Sequence, residues 1–413
     1  MKIYLFDSLE IHQNLLPLSF TRPVADFRCG IITIREKWEK YLPGDYGFYP
    51  VEYLRDKFGT VRNQKEEAIF IAGNLIPRPN IVKAIQELKS GEAIFKSDAE
   101  VSEKANDTEQ AEIPNSLLVY KGTLKNLKNL NPNNTASHKT LNNPPTLSYL
   151  YDIFLRNGEE IIRDFQLITK GRRSQPLPPH VHKISSGPVK GLKRLIFIEE
   201  GAKVECASVN ISRGPIYIGK NASVMEGTCI RGPFAICQEA EVRMGAKIYE
   251  GTTIGPKCKV GGEVTNSVFF GFSNKAHDGF LGNAVIGEWC NIGAGTNASN
   301  LKNDYSLIRV WNYRTQYFMK TDLQFCGLIM GDHSKIGINC MINTATVIGV
   351  GANIHGSGFP RQFVPCFCEG SPNGGFTKAP LKKILDIATR AMARRDISLT
   401  TADASLLSYI YEK

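Results

Sequence analysis

The chain has 413 residues, 42% hydrophobic and 22% charged, which is enough apolar material for two or three packed domains and excludes a disordered chain, a collagen or a minimal disulfide scaffold. Lys and Arg number 50 against 40 Asp and Glu, and the net charge of +10 suits an anionic partner. No basic run of about five to eight residues occurs, so nucleic acid is set aside in favour of phosphorylated small molecules, and no stretch reaches the roughly 18 apolar residues of a membrane span.

From the N-terminus, Lys2–Phe6 has the apolar character of a short buried strand. Asp7 follows before a signal-peptide core can form, so a cytoplasmic location is expected. Ile32–Tyr41 and Pro79–Lys89 have helical patterning, and Ala68–Ala72 and Leu117–Val119 read as further strands. This alternation predicts an α/β domain with a mostly parallel sheet over 1–145. The Asn-, Pro- and Thr-rich stretch 124–146 predicts a long exposed loop. A helix over Leu147–Phe165 and a Pro-rich linker over 171–182 fill 146–185. The ten Cys show no Cys-x-x-Cys pair, and Cys366 and Cys368 stand too close for common zinc spacing. Reduced, buried thiols are expected.

A repeat governs the second half. Ile218, Val224, Ile230, Ile236, Val242, Ile248, Ile254 and Val260 recur every sixth residue. With Ile plus Val at about an eighth of ordinary composition, eight such hits have a chance probability of about one in 10⁷. The beat returns at Ile286 and Ile292, then at Met330, Ile336, Ile342, Ile348 and Ile354. A period of six would smear these residues around a helix. It fits an extended chain that bends once per repeat and turns one aliphatic side chain inward, a hexapeptide parallel β-helix over 186–380. Leu381, Ile384, Leu385, Ala388 and Met392 then have helical spacing, and 381–413 is expected to cap the open end of the solenoid.

Two stretches break the beat. The first is 262–301, which holds His277 between Lys275 and Asp278. A solenoid has no packing reason to interrupt itself, and a His is the common base for acyl transfer to an amine. The second is 305–320, with Arg309, Trp311, Tyr313, Arg314 and Tyr317. It predicts either a loop projecting from the solenoid or a cap packed on its face, and Arg309 or Arg314 could hold the phosphates of coenzyme A.

The run KAHDGFLGNAVIGEWCNIGAGTNASN (275–300) resembles the acetyltransferase motif of the bifunctional N-acetylglucosamine-1-phosphate uridyltransferase/glucosamine-1-phosphate acetyltransferase family. The match runs through Ala276-His277, Gly282, Ala284, Ile286-Gly287, Asn291–Thr296 and Asn300. The resemblance implies a left-handed β-helix, acetyl-CoA as co-substrate, His277 as general base, and Asn291 and Asn300 in contact with the sugar and the acetyl donor. It implies a homotrimer with sites between neighbouring prisms. The chain departs from the pattern at Phe280 and Leu301, where the family has Tyr, and at Thr265, where a sugar-binding Lys is expected. Lys247 falls near a family Arg that holds the sugar phosphate, and Lys302 could supply a second charge.

Near the N-terminus, Leu16-Pro-Leu-Ser-Phe-Thr-Arg-Pro-Val24, Phe27-Arg-Cys-Gly-Ile31 and Arg35-Glu-Lys-Trp38 resemble the tail of the sugar-nucleotidyltransferase motif. They are closer still to an alternative bacterial form of the same bifunctional family. That resemblance implies a head that joins a nucleoside triphosphate to a sugar 1-phosphate with Mg²⁺, with Arg22, Arg28 and Lys37 on the phosphates and UDP-N-acetylglucosamine as the final product. Asn74 stands where the family's Mg²⁺-binding Asp is expected, with Asp7 and Asp98 as the alternative carboxylates, and the sequence leaves the metal ligands open. Two rival functions also remain open at this level. One is a glucose-1-phosphate thymidylyltransferase with a regulatory β-helix, and the other is a non-catalytic sugar-nucleotide-binding scaffold.

Overall fold

The computed structural model describes residues 1–97, 113–127, 130, 138–187 and 195–413. The chain forms two compact units. One comprises Met1–Leu15, Thr21–Phe27 and Thr33–Tyr149, and the other Leu16–Phe20, Arg28–Ile32 and Leu150–Lys413.

The first unit is built on the strands β1 (Lys2–Phe6), β2 (Asp45–Tyr49), β3 (Ala68–Ala72), β4 (Ala93–Lys96), β5 (Leu117–Gly122) and β6 (His138–Leu141), in the sheet order 2-1-3-5-4-6. β1 pairs in parallel with β2 and β3, and β4 with β6, but β5 runs antiparallel to both β3 and β4. The sheet is thus mostly parallel, as expected, with the single reversed strand β5 inside it. Helices α1 (Leu9–Asn14), α2 (Ile34–Tyr41), α3 (Arg55–Phe58), α4 (Pro79–Gln86) and α5 (Leu124–Leu127) complete the unit. Thr33 and Glu36 close a reciprocal capping box at the start of α2, which fixes where the helix begins. Trp38 on α2 is fully buried and its indole donates to the Leu75 carbonyl at 2.8 Å. The stretch 124–146 lies partly outside the described residues. What is described of it carries α5 and β6 rather than loop alone.

The second unit is a left-handed parallel β-helix. Short strands stack into three sheets of eight, nine and ten strands among the described residues, and the chain visits the nine-, ten- and eight-strand faces in turn. Ile218 stacks on Ile198 and Ile236, Val224 on Val204 and Val242, and Ile230 on Val209 and Ile248. The repeating Ile and Val side chains form one continuous buried core. One β-branched side chain per six-residue repeat enters it, three to a full coil, which is why the six-residue beat was visible in the sequence.

The beat changes after Val260, but the coil does not stop. Ile236 pairs with Ile254, a turn of 18 residues, whereas Ile254 pairs with Phe269 and Val260 with Lys275, turns of 15. The stretch 262–301 is thus about two and a half shortened turns rather than an excursion, with Val264, Phe269, Lys275 and Leu281 in the inward slots. The true excursion follows Ala298 and rejoins the coil at Ile329–Met330. It holds an antiparallel hairpin of Arg309–Asn312 against Tyr317–Lys320.

Helix α6 (Asp152–Thr169) packs Ile161, Phe165 and Ile168 against Phe197, Ala235 and Cys237, with Ile31 in the same cluster. Helices α7 (Leu381–Ala393) and α8 (Thr401–Glu412) end the chain. α8 meets the last coil through Tyr411, whose ring lies 5.3 Å from that of Phe367, and α7 runs along the solenoid. A Cβ on Gly351 would lie 3.5 Å from Ile384, while Arg395 beyond the helix donates to Asn274 Oδ1 at 2.8 Å, three rungs back. The last edge of the ten-strand sheet is closed by an antiparallel hairpin, Cys368–Ser371 with Gly375–Lys378. All ten Cys are unbridged and seven are buried, whereas Cys366 and Cys368 are half-buried and Cys229 is exposed. Among the described residues no helix is long and apolar enough to cross a membrane.

Candidate functional sites

In the β-helix, shortened turns bring the motif residues onto and around one face. His277 follows the strand Asn274–Lys275 of the ten-strand sheet and precedes Phe280–Gly282 of the eight-strand sheet, so it stands at the corner between them, exposed. The next corner of the eight-strand face carries Asn300, whose Nδ2 donates to Asn283 Oδ1 at 2.8 Å. Between the two corners lie Phe280, Glu263 and Lys247, paired in one ladder, with Thr265 at the end of its strand. The Phe280 amide donates to Asn297 Oδ1 at 2.8 Å. Beside Thr265 is a surface depression of about 360 Å³, also lined by Tyr249, Glu250 and Asn266. His277, Lys247 and Asn300 therefore share one face of the prism.

Asn291 does not join them. It lies on the ten-strand face, exposed, and pairs with Asn274 on one side and Lys335 on the other. Lys335 is turned onto the corner carbonyls of Trp289 (2.6 Å) and His333 (2.9 Å), and burial lowers its pKa. Lys302 lies at the start of the excursion with its Nζ on Ser306 Oγ at 2.8 Å. The excursion is both projection and cap. Trp311 stacks on Phe363 at 4.3 Å and Tyr313 meets the same ring edge-on, while Arg309, Arg314 and Tyr317 stay exposed.

The corner at His277 has a tight backbone. Gly262, one rung below, has φ +73°, and a Cβ there would meet the carbonyl oxygens of Gly279 at 2.7 Å and His277 at 2.9 Å. Only Gly fits, since both the conformation and the space exclude a side chain. The residue that sequence reasoning passed over is Lys275. It occupies the inward slot above Val260, is 1% exposed, and donates from Nζ to the His277 carbonyl at 2.5 Å. Burial pushes its pKa down to about 8, opposed by nearby Asp278. The signal was present as a cation at the point where an aliphatic residue was due, but it is legible only once the turn is known to be 15 residues long.

The first unit offers a second site, at the carboxyl ends of the adjacent parallel strands β1 and β3, where open α/β sheets place their ligands. Asp7 follows β1 and Gly73-Asn74 follow β3. Asp7 is 8% exposed, and its two carboxylate oxygens accept from the Val24 amide at 3.2 and 3.3 Å. A Cβ on Gly73 would lie 2.7 Å from Asp7 Oδ1, so this glycine leaves the carboxylate its room. Burial, with a smaller push from Asp26, raises the Asp7 pKa to about 7, the Val24 amide pulling the other way. Asn74 is tied into the fold, because its Nδ2 and carbonyl bracket Leu147 at 3.0 and 2.9 Å. Arg22 and Lys37 are buried in the same unit. Asp98 lies outside the described residues.

Arg28 is placed elsewhere. It belongs to the β-helix unit, donating from Nε to the Phe270 carbonyl at 3.2 Å and from Nη1 to the Ile31 carbonyl and to Cys237 Sγ at 3.7 Å. The neighbouring backbone is held in the same way. Gly30 N donates to Asn157 Oδ1 at 2.6 Å, and Ile31 N and Ile32 N donate to Asp164 Oδ2. Its guanidinium serves this stitching within the β-helix unit. A divalent cation on a nucleotide needs one or two protein carboxylates, the phosphates supplying the rest. Asp7 meets that minimum, and among the described residues no cluster of three metal-ligating side chains occurs.

The profile of the sugar nucleotidyl transferase family matches residues 3–173. A bifunctional sugar-1-phosphate nucleotidylyltransferase/acetyltransferase of Sulfurisphaera tokodaii is 31% identical over 40% of this chain and 40% of its own length. The bifunctional protein GlmU of Synechococcus elongatus is 25% identical over 38% of this chain and 32% of its own. The chain thus spans about two fifths or less of these relatives. Among solved structures, a Francisella novicida UDP-N-acetylglucosamine acyltransferase shares 15% identity over 49% of this chain and 73% of its own, at a TM-score of 0.27, too loose a superposition to carry an argument. Residues 3–173 thus resemble a sugar nucleotidyl transferase domain, and a hexapeptide β-helix stands behind them.

Proposed function

We propose that this chain is a cytoplasmic two-site transferase of nucleotide-sugar synthesis. The first unit joins a sugar 1-phosphate to a nucleoside triphosphate and releases pyrophosphate. The β-helix transfers an acetyl group from acetyl-CoA to an amino-sugar phosphate, and UDP-N-acetylglucosamine is the expected product. The observation that carries the proposal is the eight-strand face, framed by His277 and Asn300 with Lys247 between them.

At that face the exposed His277 imidazole accepts the amine proton as the nitrogen attacks the thioester carbonyl. A C–N bond forms, the C–S bond breaks, and coenzyme A leaves as its thiol once protonated. Lys247 and Lys302 meet the sugar phosphate, and Arg309 and Arg314, exposed on the excursion, meet the phosphates of coenzyme A. A convex prism face encloses nothing by itself, and Asn291 lies around the corner from Asn300. A homotrimer, in which a neighbouring copy closes the face, accounts for both facts.

In the first unit Arg22 and Lys37 supply positive charge for the triphosphate. Mg²⁺, when bound, neutralises charge on the transferring phosphates, and Asp7 is the carboxylate that would hold it, since the neutral Asn74 is committed to Leu147. Two substitutions test the assignments. His277→Ala is expected to abolish acetyl transfer and leave pyrophosphate release unchanged. Asp7→Asn is expected to raise the Mg²⁺ concentration needed for half-maximal nucleotidyl transfer at least tenfold, with acetyl transfer untouched. Retention of acetyl transfer by a folded His277→Ala protein contradicts the base assignment.

A further inference from the structure

The core of the solenoid is built from Ile, Val, Leu, Phe, Met, Ala and Cys, so a lysine in one of its inward slots calls for a reason. Lys275 is paired with Val260, and Asn274, just before it, pairs with Asn291, which places the lysine in the inward column between Val260 and Ile292. It is 1% exposed, and its ammonium reaches the backbone carbonyl of His277 two residues on, at 2.5 Å. That carbonyl sits in the tight corner above Gly262, where the chain turns from the ten-strand to the eight-strand face. An aliphatic residue in this slot would pack better and avoid burying a charge. The lysine therefore sacrifices packing to hold one carbonyl, and the residue whose carbonyl it holds is the proposed base.

We infer that Lys275 is a positioning residue for acetyl transfer. From inside the core its ammonium fixes the His277 backbone, so that the otherwise exposed imidazole meets the acceptor amine at a set place. Asp278, beside the corner, favours the charged form of the lysine. The inference rests on the assignment of His277 as base. It extends that assignment by making a core side chain, which touches no substrate, part of the machinery.

The test uses the full-length protein with glucosamine 1-phosphate and acetyl-CoA, comparing Lys275→Met, Lys275→Arg and His277→Ala. Lys275→Met fills the slot with an unbranched apolar chain of similar length. It is expected to melt at the same temperature as the parent or higher, yet to lose about tenfold or more in kcat with both KM values within about twofold, because misplacing a reacting group costs rate rather than affinity. Lys275→Arg, which keeps a cationic donor, is expected to recover part of that loss. A Lys275→Met protein with parental kcat overturns the inference while leaving the base assignment standing, provided His277→Ala is inactive. An active His277→Ala protein overturns the base assignment itself. If both lysine variants fail to fold, the role is structural and the inference fails.

Discussion

At the scale of single residues, burial separates candidates that look alike in sequence. Arg22 and Arg28 stand six positions apart in one motif, yet the Arg28 guanidinium is used up on the carbonyls of Phe270 and Ile31. Arg28→Ala should therefore destabilise the β-helix unit by about 1–3 kcal/mol, the cost of leaving buried carbonyls without a donor. The KM for the nucleoside triphosphate should not change, and a denaturant melt beside steady-state kinetics checks both. His12 gives the first unit an acid-sensitive point. It is buried against the Tyr53 hydroxyl at 2.8 Å, and burial lowers its pKa to about 3. A folded-state pKa below the unfolded value of about 6.5 means that the neutral form is favoured by folding. That stability is fully present above about pH 6.5 and is lost as the pH falls toward 3. His12→Gln should flatten the acid limb of melting temperature over that window relative to the parent, and an unchanged limb would refute the assignment.

At the scale of elements, the rungs differ in how far sequence alone reveals them. The six-residue beat from Ile218 to Val260 is legible because every inward slot there is filled by Ile or Val. The shortened turns are not, because turns of 15 to 17 residues shift the register and put Phe269 and Lys275 where the beat predicts nothing. The expected interruption at 262–301 was thus a change of turn length, whereas the off-beat run 305–320 is a genuine hairpin. In the first unit the strands β1 and β3 and the helices α2 and α4 were legible from apolar patterning. The antiparallel direction of β5 was not, since direction leaves no mark in a short buried strand. For the proposed sites, the motif singles out His277 in the sequence, but the burial of Arg28 and the inward lysine depend on partners distant in sequence. Cutting a full rung slot shows what the core contributes. Ile248→Ala, at 2% exposure, should cost about 2–5 kcal/mol by the lost burial and the cavity left behind, read as a shift in the denaturant midpoint. Trp311→Ala should free the excursion from Phe363 and raise the KM for acetyl-CoA more than that for the sugar phosphate, since the hairpin carries Arg309 and Arg314.

At the scale of the whole molecule, the residues of the proposed function divide between the two units: Asp7, Arg22 and Lys37 lie in one, and His277, Lys247 and Asn300 in the other. The net charge of +10 is consistent with substrates that all carry phosphate. Of the rival functions, a thymidylyltransferase with a regulatory solenoid makes a thymidylylated sugar and a non-catalytic scaffold makes nothing, so the products decide. The pure protein is mixed with glucosamine 1-phosphate, acetyl-CoA, UTP, dTTP and Mg²⁺, and the sugar products are weighed by mass spectrometry. An acetylated, uridylylated sugar is predicted, with the acetyl mass missing when His277→Ala replaces the parent. A thymidylylated sugar without acetyl, or no product at all, would contradict the proposed two-site transferase.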